Sequence, residues 1–561
     1  MTTPALTRTH VIYGALLFGI GLLYLLLARP HVTGFEYDDG AYLLAAKALA
    51  NGQGYVLPYT HPLQALVKYP PLTSIIMTPL WWLPVEFPAN VMLFKGLNIL
   101  LTLTFLGMLG YYAERVIKLP RWQSLCVVGL VGCHPQLTHV ATEILSEPLY
   151  LVLSMGLFLL SVRCHSGNGA LKTDREGSFA TTGMLLAGVL LLLAVLAYYA
   201  RTVGIILVGA LGLWLFVSHR KKHALLAWFF GFGLCALWML WTSAQADFTT
   251  PLSLNGREWV LRTLNESYLT SIKTDLLYHY TWIDLYSSGL AALYGKWSIE
   301  LFPFLSLLPS WVALASGFGL LGLFLLLGLK HLKQKQWSLP GIYVTLYLGI
   351  LPFWAYHDQY PRFLIVILPF LWLWLFQLAN KAHRKLPSKT PHIVIPVLVL
   401  AISICNLIPN GFRIVFDRGN AITFKNNPPV WVDFIATTDA IKQRTTPDTI
   451  LWVSHLVMPY ALYTNRQYFD AFIQLPPMYL RSMQESELKK IQRDQAILWR
   501  YQLIKNNVQY IVSNPVLENG QVVSPMNHAI KTLLEQYPNE FESVYTSPHQ
   551  LIRVFKFTGK T

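Results

Sequence analysis

The sequence predicts an α-helical polytopic membrane protein with a small α/β domain at its C-terminus. Three observations support this fold class: a very apolar composition, repeated apolar runs of membrane-spanning length, and a change to alternating helix and strand patterns after residue 425. Of the 561 residues, 54% are hydrophobic and only 13% are charged, whereas soluble domains carry about 25% charged residues. The composition therefore excludes an ordinary soluble domain.

The apolar runs predict about eleven transmembrane helices. A helix needs about 20 apolar residues to cross the hydrocarbon core. The runs that reach or approach this length are 11–28, 89–111, 123–141, 148–162, 181–199, 203–217, 224–242, 304–329, 340–355, 363–379 and 391–408. No small-residue cleavage site follows the first run, so we expect a retained helix and not a signal peptide.

The connections between these runs alternate in charge. One set is short and basic, which by the positive-inside rule places it in the cytoplasm together with the N-terminus. Its basic residues are Arg115, Lys118, Arg121, Arg163, Lys172, Arg175, Arg220, Lys221, Lys222, Lys330, Lys333, Lys335, Lys381, Arg384, Lys385 and Lys389. We expect the remaining connections on the opposite side, at 29–88, 142–147, 200–202, 243–303, 356–362 and beyond 409. The net charge of +15 then reflects topology, and nucleic acid is not an expected partner.

The chain is predicted to divide into two domains. Residues 1–410 form the membrane domain, with long outer loops at 29–88 and 243–303, and residues 425–561 form an extracytoplasmic α/β domain. In the first loop, Trp81-Trp82 between prolines indicates a segment that lies in the membrane interface. The second domain has no phosphate loop of the GxxxxGK type. The five cysteines lie in or beside apolar runs, so no disulfide framework is implied.

Two adjacent acids, Asp38 and Asp39, follow the first apolar run in the stretch FEYDDGAYLLAAKALANGQGY. Acids beyond a span are often only its solvated end. Here, however, the pair opens an amphipathic helix, and a helix N-terminus stabilises a carboxylate by roughly 0.3–1 kcal/mol. That interaction also fixes its orientation, and a fixed carboxylate at the membrane face is what a general base needs.

A second pair of acids, Glu143 and Glu147, flanks the tight connection between the third and fourth apolar runs. An acid so near the hydrocarbon core is a functional-site hypothesis, while Ser146-Glu147-Pro148 also resembles an ordinary helix start. Both interpretations stay open for each acid. His139 lies four residues before Glu143 and could join either acid at a divalent metal, but satisfied polar residues are the better interpretation of a pair without further ligands.

The outer side carries few basic residues. Arg201 and Arg362 lie in short outer connections, against the inside-positive bias, and Lys68 lies in the first outer loop. They could extend toward lipid phosphates in general. Alternatively, they bind one anionic group held against the membrane, such as a lipid-linked phosphate, for which guanidinium geometry is well suited.

The order and spacing of six short motifs resemble the polyprenyl-phosphate-dependent glycosyltransferases of the GT-C superfamily. These motifs are YDDGAY, AAKALANGQGY, a YPPL segment, TEILSEPLY, YYARTVGI and YPRFLIVILP. The chain is most similar to bacterial membrane glycosyltransferases of the protein mannosyltransferase-like group, relatives of the lipid A aminoarabinose transferases, over roughly residues 10–410. The domain after residue 425 looks like the small domain that many bacterial members carry.

The resemblance implies an inverting transfer of a hexose or pentose from a polyprenyl-phosphate donor to a hydroxyl of a glycan, lipid or protein, in a bacterial inner membrane. It implies that Asp38 is the base, with Asp39 beside it. Glu147 matches the second family acid, where these relatives carry Asp, so acceptor positioning and metal binding both stay open. Arg201 and Arg362 match, more loosely, the cations that the family places at the lipid phosphate.

Two other classes of protein compete with the transferase interpretation. A transporter or flippase for a lipid-linked or anionic substrate would place its ionisable residues near the bilayer midplane and often has two related halves. This chain clusters its acids at the outer ends of helices and shows no such halves. A non-catalytic scaffold that binds through the outer domain would not need the acid pair. The transferase therefore explains more of the sequence.

Overall fold

The computed structural model describes residues 8–30, 32–35, 38–60, 63–165, 178–218, 220–245, 338–350, 360–383, 407, 410, 428–453, 457–469, 496–514, 516–518, 521–524 and 528–559. The predicted helix 304–329 and most of the predicted loop 243–303 and helix 391–408 lie outside these residues.

Among the residues that the structure describes, the N-terminal part of the chain is mainly helical, with a two-stranded ribbon in the first outer loop. The ribbon pairs β1 (Val56–Leu57) with β2 (Gln64–Ala65). The helices are α1 (Arg8–Leu27), α2 (Asp38–Ala50), α3 (Leu72–Met77), α4 (Val91–Tyr111), α5 (Arg121–Gly132), α6 (Pro135–Thr142), α7 (Glu147–His165), α8 (Ser178–Ala200), α9 (Ile205–Val217), α10 (Lys221–Gln245), α11 (Leu339–Ile350), α12 (Tyr360–Leu364) and α13 (Leu368–His383).

Two helices of the described residues have the length and composition of membrane spans, or three if a bent pair counts as one span. One is α10, and the other is α4 together with the π-helical turn that continues it to Val116. A broken third candidate consists of α6 and α7, which meet at a bend of 111°. Shorter apolar helices of the described residues lie within α1, α8, α11 and the Thr202–Val217 segment that contains α9. The mostly helical architecture is confirmed, while the count of eleven spans stays a prediction.

The third predicted helix, 123–141, is two helices in the structure. The break falls at His134-Pro135, between α5 and α6. Proline cannot donate a backbone hydrogen bond and forces the residue before it into an extended conformation, and His134 has a ψ of 129°. The His134 Nδ1 accepts a hydrogen bond of 3.3 Å from the Gln136 backbone N–H and so caps α6. This break redirects the chain toward the acidic connection 143–146.

One large apolar core joins the membrane helices. It contains buried side chains of α1, α4, α5, α7, α8, α9, α11 and α13. Within this core, the hydroxyls of Tyr150 and Tyr343 form a hydrogen bond of 2.8 Å that connects α7 to α11. Because α7 begins at Glu147, directly after the connection 143–146, this packing helps to fix the position of that connection.

The C-terminal part contains a mixed five-stranded sheet. Its strand order is β4 (Gln467–Phe469), β3 (Ile450–Val453), β5 (Tyr510–Ser513), β9 (Arg553–Phe557) and β8 (Phe541–Thr546). The first three strands are parallel, and β9 and β8 are antiparallel to their neighbours. A separate hairpin pairs β6 (Val516–Glu518) with β7 (Gln521–Ser524). The surrounding helical segments are α14 (Pro428–Arg444), α15 (Val457–Thr464), residues 496–505 and α16 (His528–Gln536).

The first outer loop and the C-terminal part share one apolar core. This core contains residues of α2 and α3 together with residues of α14, β3, α15 and β5. Backbone contacts reinforce it: the Tyr468 N–H donates to the Tyr59 carbonyl at 2.6 Å. On the surface, the Lys47 Nζ donates to the Asn465 side chain at 2.8 Å. The C-terminal part is thus seated directly on the loop that carries the acid pair.

Candidate active site

The two neighbouring acids of the first outer loop have different environments. Asp39 is buried: its Oδ2 accepts hydrogen bonds from the Gly34 N–H at 2.6 Å and the Thr33 hydroxyl at 3.0 Å, and its Oδ1 accepts one from the Gly40 N–H at 2.8 Å. Burial and the nearby Glu143 carboxylate raise the pKa of Asp39 to about 6. Asp39 therefore fastens the turn that precedes α2. Gly34 is required in that turn because its φ is +93°.

Asp38 opens α2 on the accessible side, and 21% of its side chain is exposed. Its Oδ1 accepts a hydrogen bond of 2.5 Å from the Tyr69 hydroxyl. Its Oδ2 accepts one of 2.8 Å from Nη1 of Arg362. The carboxylate is thereby held in a fixed orientation at the start of α2.

Glu147, the first residue of α7, lies between two guanidinium groups. Arg362 of α12 binds it through two nitrogens, with Nη2 3.1 Å from Oε2 and Nε bound to Oε1. Arg201, which follows α8, forms a second ion pair with Oε1. Only 1% of the Glu147 side chain is exposed, against 13% for each arginine. Glu147 is thus the buried centre of the cluster, and the guanidinium groups form its accessible side.

Two residues of the first outer loop complete the cluster beside Asp38. The ring of Tyr69 packs against that of Tyr42 with centroids 5.2 Å apart, and the Lys68 Nζ lies over the Tyr69 ring at 5.2 Å. Burial lowers the pKa of Lys68, while the charge of Asp38 acts in the opposite direction. The Tyr42 hydroxyl donates to the Ser146 Oγ at 3.1 Å and so connects α2 to the start of α7.

Glu143 belongs to a different, buried network. Its carboxylate forms an ion pair of 2.9 Å with Lys95 of α4, and both side chains are almost fully buried. The Asn98 side chain donates to the carbonyls of Glu143 and Leu145 at 2.7 and 2.9 Å. His139 acts on the Glu143 carboxylate electrostatically. These contacts hold the connection between α6 and α7 in place, behind the cluster of Asp38, Glu147 and the arginines.

A narrow cleft begins at Arg201. Its other lining residues are mostly apolar: Thr202, Val203, Ile206, Tyr347, Ile350 and Phe363. The guanidinium of Arg201 also lies against the Phe363 ring, 5.5 Å from its centroid. One guanidinium, paired with Glu147, and mostly apolar side chains therefore line this cleft.

The described part of the chain contains no group of three His, Cys, Asp or Glu side chains that could hold a metal ion. His139 lies with the Glu143 network, whereas Glu147 is bound by arginines. The structure therefore does not bring the predicted pair of Glu147 and His139 together with a third ligand among the described residues.

Of the predicted site residues, the structure brings Asp38, Glu147, Arg201, Arg362 and Lys68 together. Asp39 and Glu143 have other partners, in the turn before α2 and at Lys95. Tyr69 and Lys95 are not among the predicted site residues. The signal for Lys95 was available, because a lysine inside an apolar run needs a partner. Tyr69 lies in the YPPL motif, but nothing in one sequence shows that its hydroxyl reaches Asp38.

Comparisons with known proteins agree with this architecture. Neither a family model nor a curated protein sequence matches the chain. ArnT from Cupriavidus metallidurans in the apo state matches with a TM-score of 0.50 and 13% identity, over 97% of each chain. ArnT bound to undecaprenyl phosphate matches with a TM-score of 0.50 and 12% identity over the same shares.

A second similar structure is the archaeal oligosaccharyltransferase AglB from Archaeoglobus fulgidus, in complex with an inhibitory peptide and a dolichol-phosphate. It matches with a TM-score of 0.52 and 13% identity, over 90% of this chain and 69% of AglB. ArnT, a lipid A aminoarabinose transferase, and AglB are both members of the GT-C superfamily. The chain therefore has the fold that ArnT and AglB share, which is the fold that its sequence motifs predict.

Proposed function

We propose that this protein is an integral-membrane glycosyltransferase that moves a sugar from a polyprenyl-phosphate donor to an acceptor hydroxyl on the extracytoplasmic face. The observation that carries the proposal is the cluster in which Asp38 meets Arg362, Glu147 and Arg201 at the end of an apolar cleft. ArnT bound to undecaprenyl phosphate and AglB in complex with a dolichol-phosphate support the same class of donor.

The donor phosphate binds the cations of the cluster. Arg201, Arg362 and Lys68 supply three positive charges, while Asp38 and Glu147 supply two negative ones, so an additional anion improves the charge balance. Guanidinium groups bind phosphate oxygens through paired hydrogen bonds. The apolar wall beyond Arg201 then accommodates the start of the polyprenyl chain.

Asp38 acts as the general base. It takes the proton of the acceptor hydroxyl, whose oxygen attacks the anomeric carbon from the side opposite the phosphate and inverts the configuration. The bond between that carbon and the phosphate oxygen breaks, and the phosphate leaves with the electron pair. A phosphate is already a good leaving group, so fixed cations suffice to stabilise it and no strong general acid is needed.

The other three acids, Asp39, Glu143 and Glu147, hold neighbouring groups in position. Asp39 fixes the turn before Asp38, and Glu143 holds the connection that precedes Glu147. Glu147 orients Arg201 and Arg362 toward the donor. The sugar is a hexose or pentose and the acceptor is a glycan, lipid or protein. In this proposal the protein lies in a bacterial inner membrane, with its N-terminus in the cytoplasm and its C-terminal part outside.

The test is sugar transfer by the purified protein in detergent, with a panel of polyprenyl-phosphate sugars and acceptors. We expect release of polyprenyl phosphate by the native protein and its loss, on the order of a hundredfold or more, in Asp38→Asn. The matched control is Asp439→Asn, which alters an exposed carboxylate in α14. No release with any donor, or full turnover by a folded Asp38→Asn protein, would contradict the proposal; a transporter would bind donors without releasing polyprenyl phosphate.

A further inference from the structure

The Tyr69 hydroxyl lies against the Asp38 carboxylate, where the acceptor hydroxyl has to bind in order to lose its proton. It donates to Oδ1 of Asp38 at 2.5 Å, while Oδ2 accepts from Arg362 at 2.8 Å. A general base takes a proton from a group within about 2.6–3.2 Å. Both carboxylate oxygens therefore accept a hydrogen bond in this structure. Each oxygen has two lone pairs, so an incoming hydroxyl competes with the phenol at Oδ1 or with the guanidinium at Oδ2.

Tyr69 is held in this position from several sides. Its side chain is largely buried, its ring packs against Tyr42, and the Lys68 Nζ lies over its face. The Tyr55 hydroxyl donates to the backbone carbonyls of Tyr69 at 3.0 Å and Pro70 at 3.3 Å. These contacts fix the backbone and the ring of Tyr69. Its hydroxyl is therefore held against Asp38 by the surrounding structure.

A transferase with an activated donor has to exclude water. Water can replace the acceptor: its oxygen attacks the anomeric carbon, the bond to the phosphate oxygen breaks, the phosphate leaves with the electron pair, and Asp38 takes the proton. The products are a free reducing sugar and polyprenyl phosphate. Because a single water makes few contacts, it gains less from displacing a phenol bonded at 2.5 Å than a larger acceptor that also binds elsewhere in the site.

We propose that Tyr69 is a specificity-determining residue that suppresses donor hydrolysis by covering Asp38 until the acceptor displaces its hydroxyl. This inference rests on the proposed function, because it requires that Asp38 is the base. In this inference Tyr69 determines whether water or the acceptor reacts with the donor. This role is separate from any contribution of Tyr69 to the stability of the loop.

The test compares Tyr69→Phe with the native protein and with Tyr13→Phe. The Phe variant keeps the ring and its packing and removes only the hydroxyl. Tyr13→Phe is the matched control, since it removes a hydroxyl that donates a 2.6 Å hydrogen bond to Ser124 in the helix bundle. Reducing sugar released from the donor without acceptor is measured beside transfer with acceptor. We expect hydrolysis to rise relative to transfer on the order of tenfold in Tyr69→Phe, since hydrogen bonds to charged groups are the stronger ones.

A second measurement needs no donor. A water-soluble carbodiimide with an amine labels accessible carboxyl groups, and peptide mapping reports the rate at Asp38. We expect labelling of Asp38 to be several-fold faster in Tyr69→Phe than in the native protein or Tyr13→Phe, because the phenol no longer covers Oδ1.

The outcomes separate the two proposals. If the native protein releases polyprenyl phosphate and Tyr69→Phe shows an unchanged ratio of hydrolysis to transfer, the inference about Tyr69 is wrong while the proposed function stands. If no donor is turned over, the proposed function fails. Labelling then decides whether Tyr69 covers Asp38, and equal rates in the three proteins would overturn the inference.

Discussion

Arg362 binds Glu147 through two guanidinium nitrogens, although the two residues are 215 positions apart in the chain. Its third nitrogen, Nη1, binds Asp38 at 2.8 Å. One side chain therefore joins the start of α12 to the start of α7 and the start of α2. Because a guanidinium is planar and its donors have fixed directions, the position of Glu147 also determines how Arg362 faces Asp38.

We predict that Glu147→Gln destabilises the protein and changes its response to phosphate. The substitution leaves two buried guanidinium groups without their central carboxylate, and removal of one partner from a buried ion pair costs about 3–5 kcal/mol. An anionic ligand can replace part of the lost charge. Polyprenyl phosphate should therefore raise the midpoint of thermal unfolding in detergent more for Glu147→Gln than for the native protein.

The control for this prediction is Glu147→Asp, which keeps the charge and shortens the side chain. It should lose less stability than the Gln variant and gain less from the ligand. Equal unfolding midpoints of Glu147→Gln and the native protein, with equal responses to polyprenyl phosphate, would show that Glu147 does not neutralise the arginines.

We predict that Asp39 makes stability depend on pH between about 4 and 6. The pKa of Asp39 is about 6 in the folded protein, against about 3.9 for an unperturbed Asp. Since the folded-state pKa is the higher one, the contribution of the protonated carboxyl is present below about pH 4 and is lost as the pH rises through about 6. Unfolding midpoints of the native protein should fall over this interval.

Asp39→Asn removes the titrating group, so this part of the pH dependence should disappear. The amide has one oxygen for the three donors of Thr33, Gly34 and Gly40, and a buried unsatisfied donor costs about 1–3 kcal/mol. We therefore expect the variant to be less stable at every pH, with a flatter curve. A curve parallel to that of the native protein would assign the titration to another group.

The sequence predicted the helix that starts at Asp38 and singled out Arg201 and Arg362, because apolar periodicity and charge asymmetry are local signals. It could not decide which of two adjacent acids is buried. That choice depends on Thr33, Gly34 and α15, and α15 (VMPYALYT) is more than 400 residues away in the chain. The contact of Arg362 with Glu147 is likewise a product of tertiary packing.

We predict that Lys95 and Glu143 are strongly coupled. Lys95 is fully buried in α4 and Glu143 almost fully buried in the connection before α7, with 2.9 Å between Nζ and Oε2. Lys95→Met and Glu143→Gln should each cost about 3–5 kcal/mol, because each leaves one charge buried without its main partner. The double variant should lose less than the sum of the two single losses. Losses that add in unfolding experiments would exclude the coupling.

We predict that the close packing of α2 on α15 controls the position of Asp38. A Cβ at Gly40 would lie 2.8 Å from the Met458 Cβ and 3.2 Å from the Gly34 Cα. Gly40→Ala therefore forces α2 away from α15 or distorts the turn at Gly34, and overpacking of this kind costs about 1–3 kcal/mol. Because Asp38 is two residues before Gly40 on the same helix, its distances to Tyr69 and Arg362 change as well. Sugar transfer should fall together with the unfolding midpoint.

The matched control is Gly96→Ala in α4, where a Cβ would have no neighbour within 4 Å. Alanine is the better helix former, so this variant should be as stable as the native protein or more stable by about 0.4–1 kcal/mol, with unchanged transfer. Carbodiimide labelling of Asp38 gives a readout at the site itself, and it should change in Gly40→Ala but not in Gly96→Ala. If Gly40→Ala lowers the unfolding midpoint while labelling and transfer stay native, the C-terminal part stabilises the loop without setting the geometry of the base. A joint change would make α15 a structural support of the active site, since a displacement of about 1 Å can reduce a reaction rate a hundredfold.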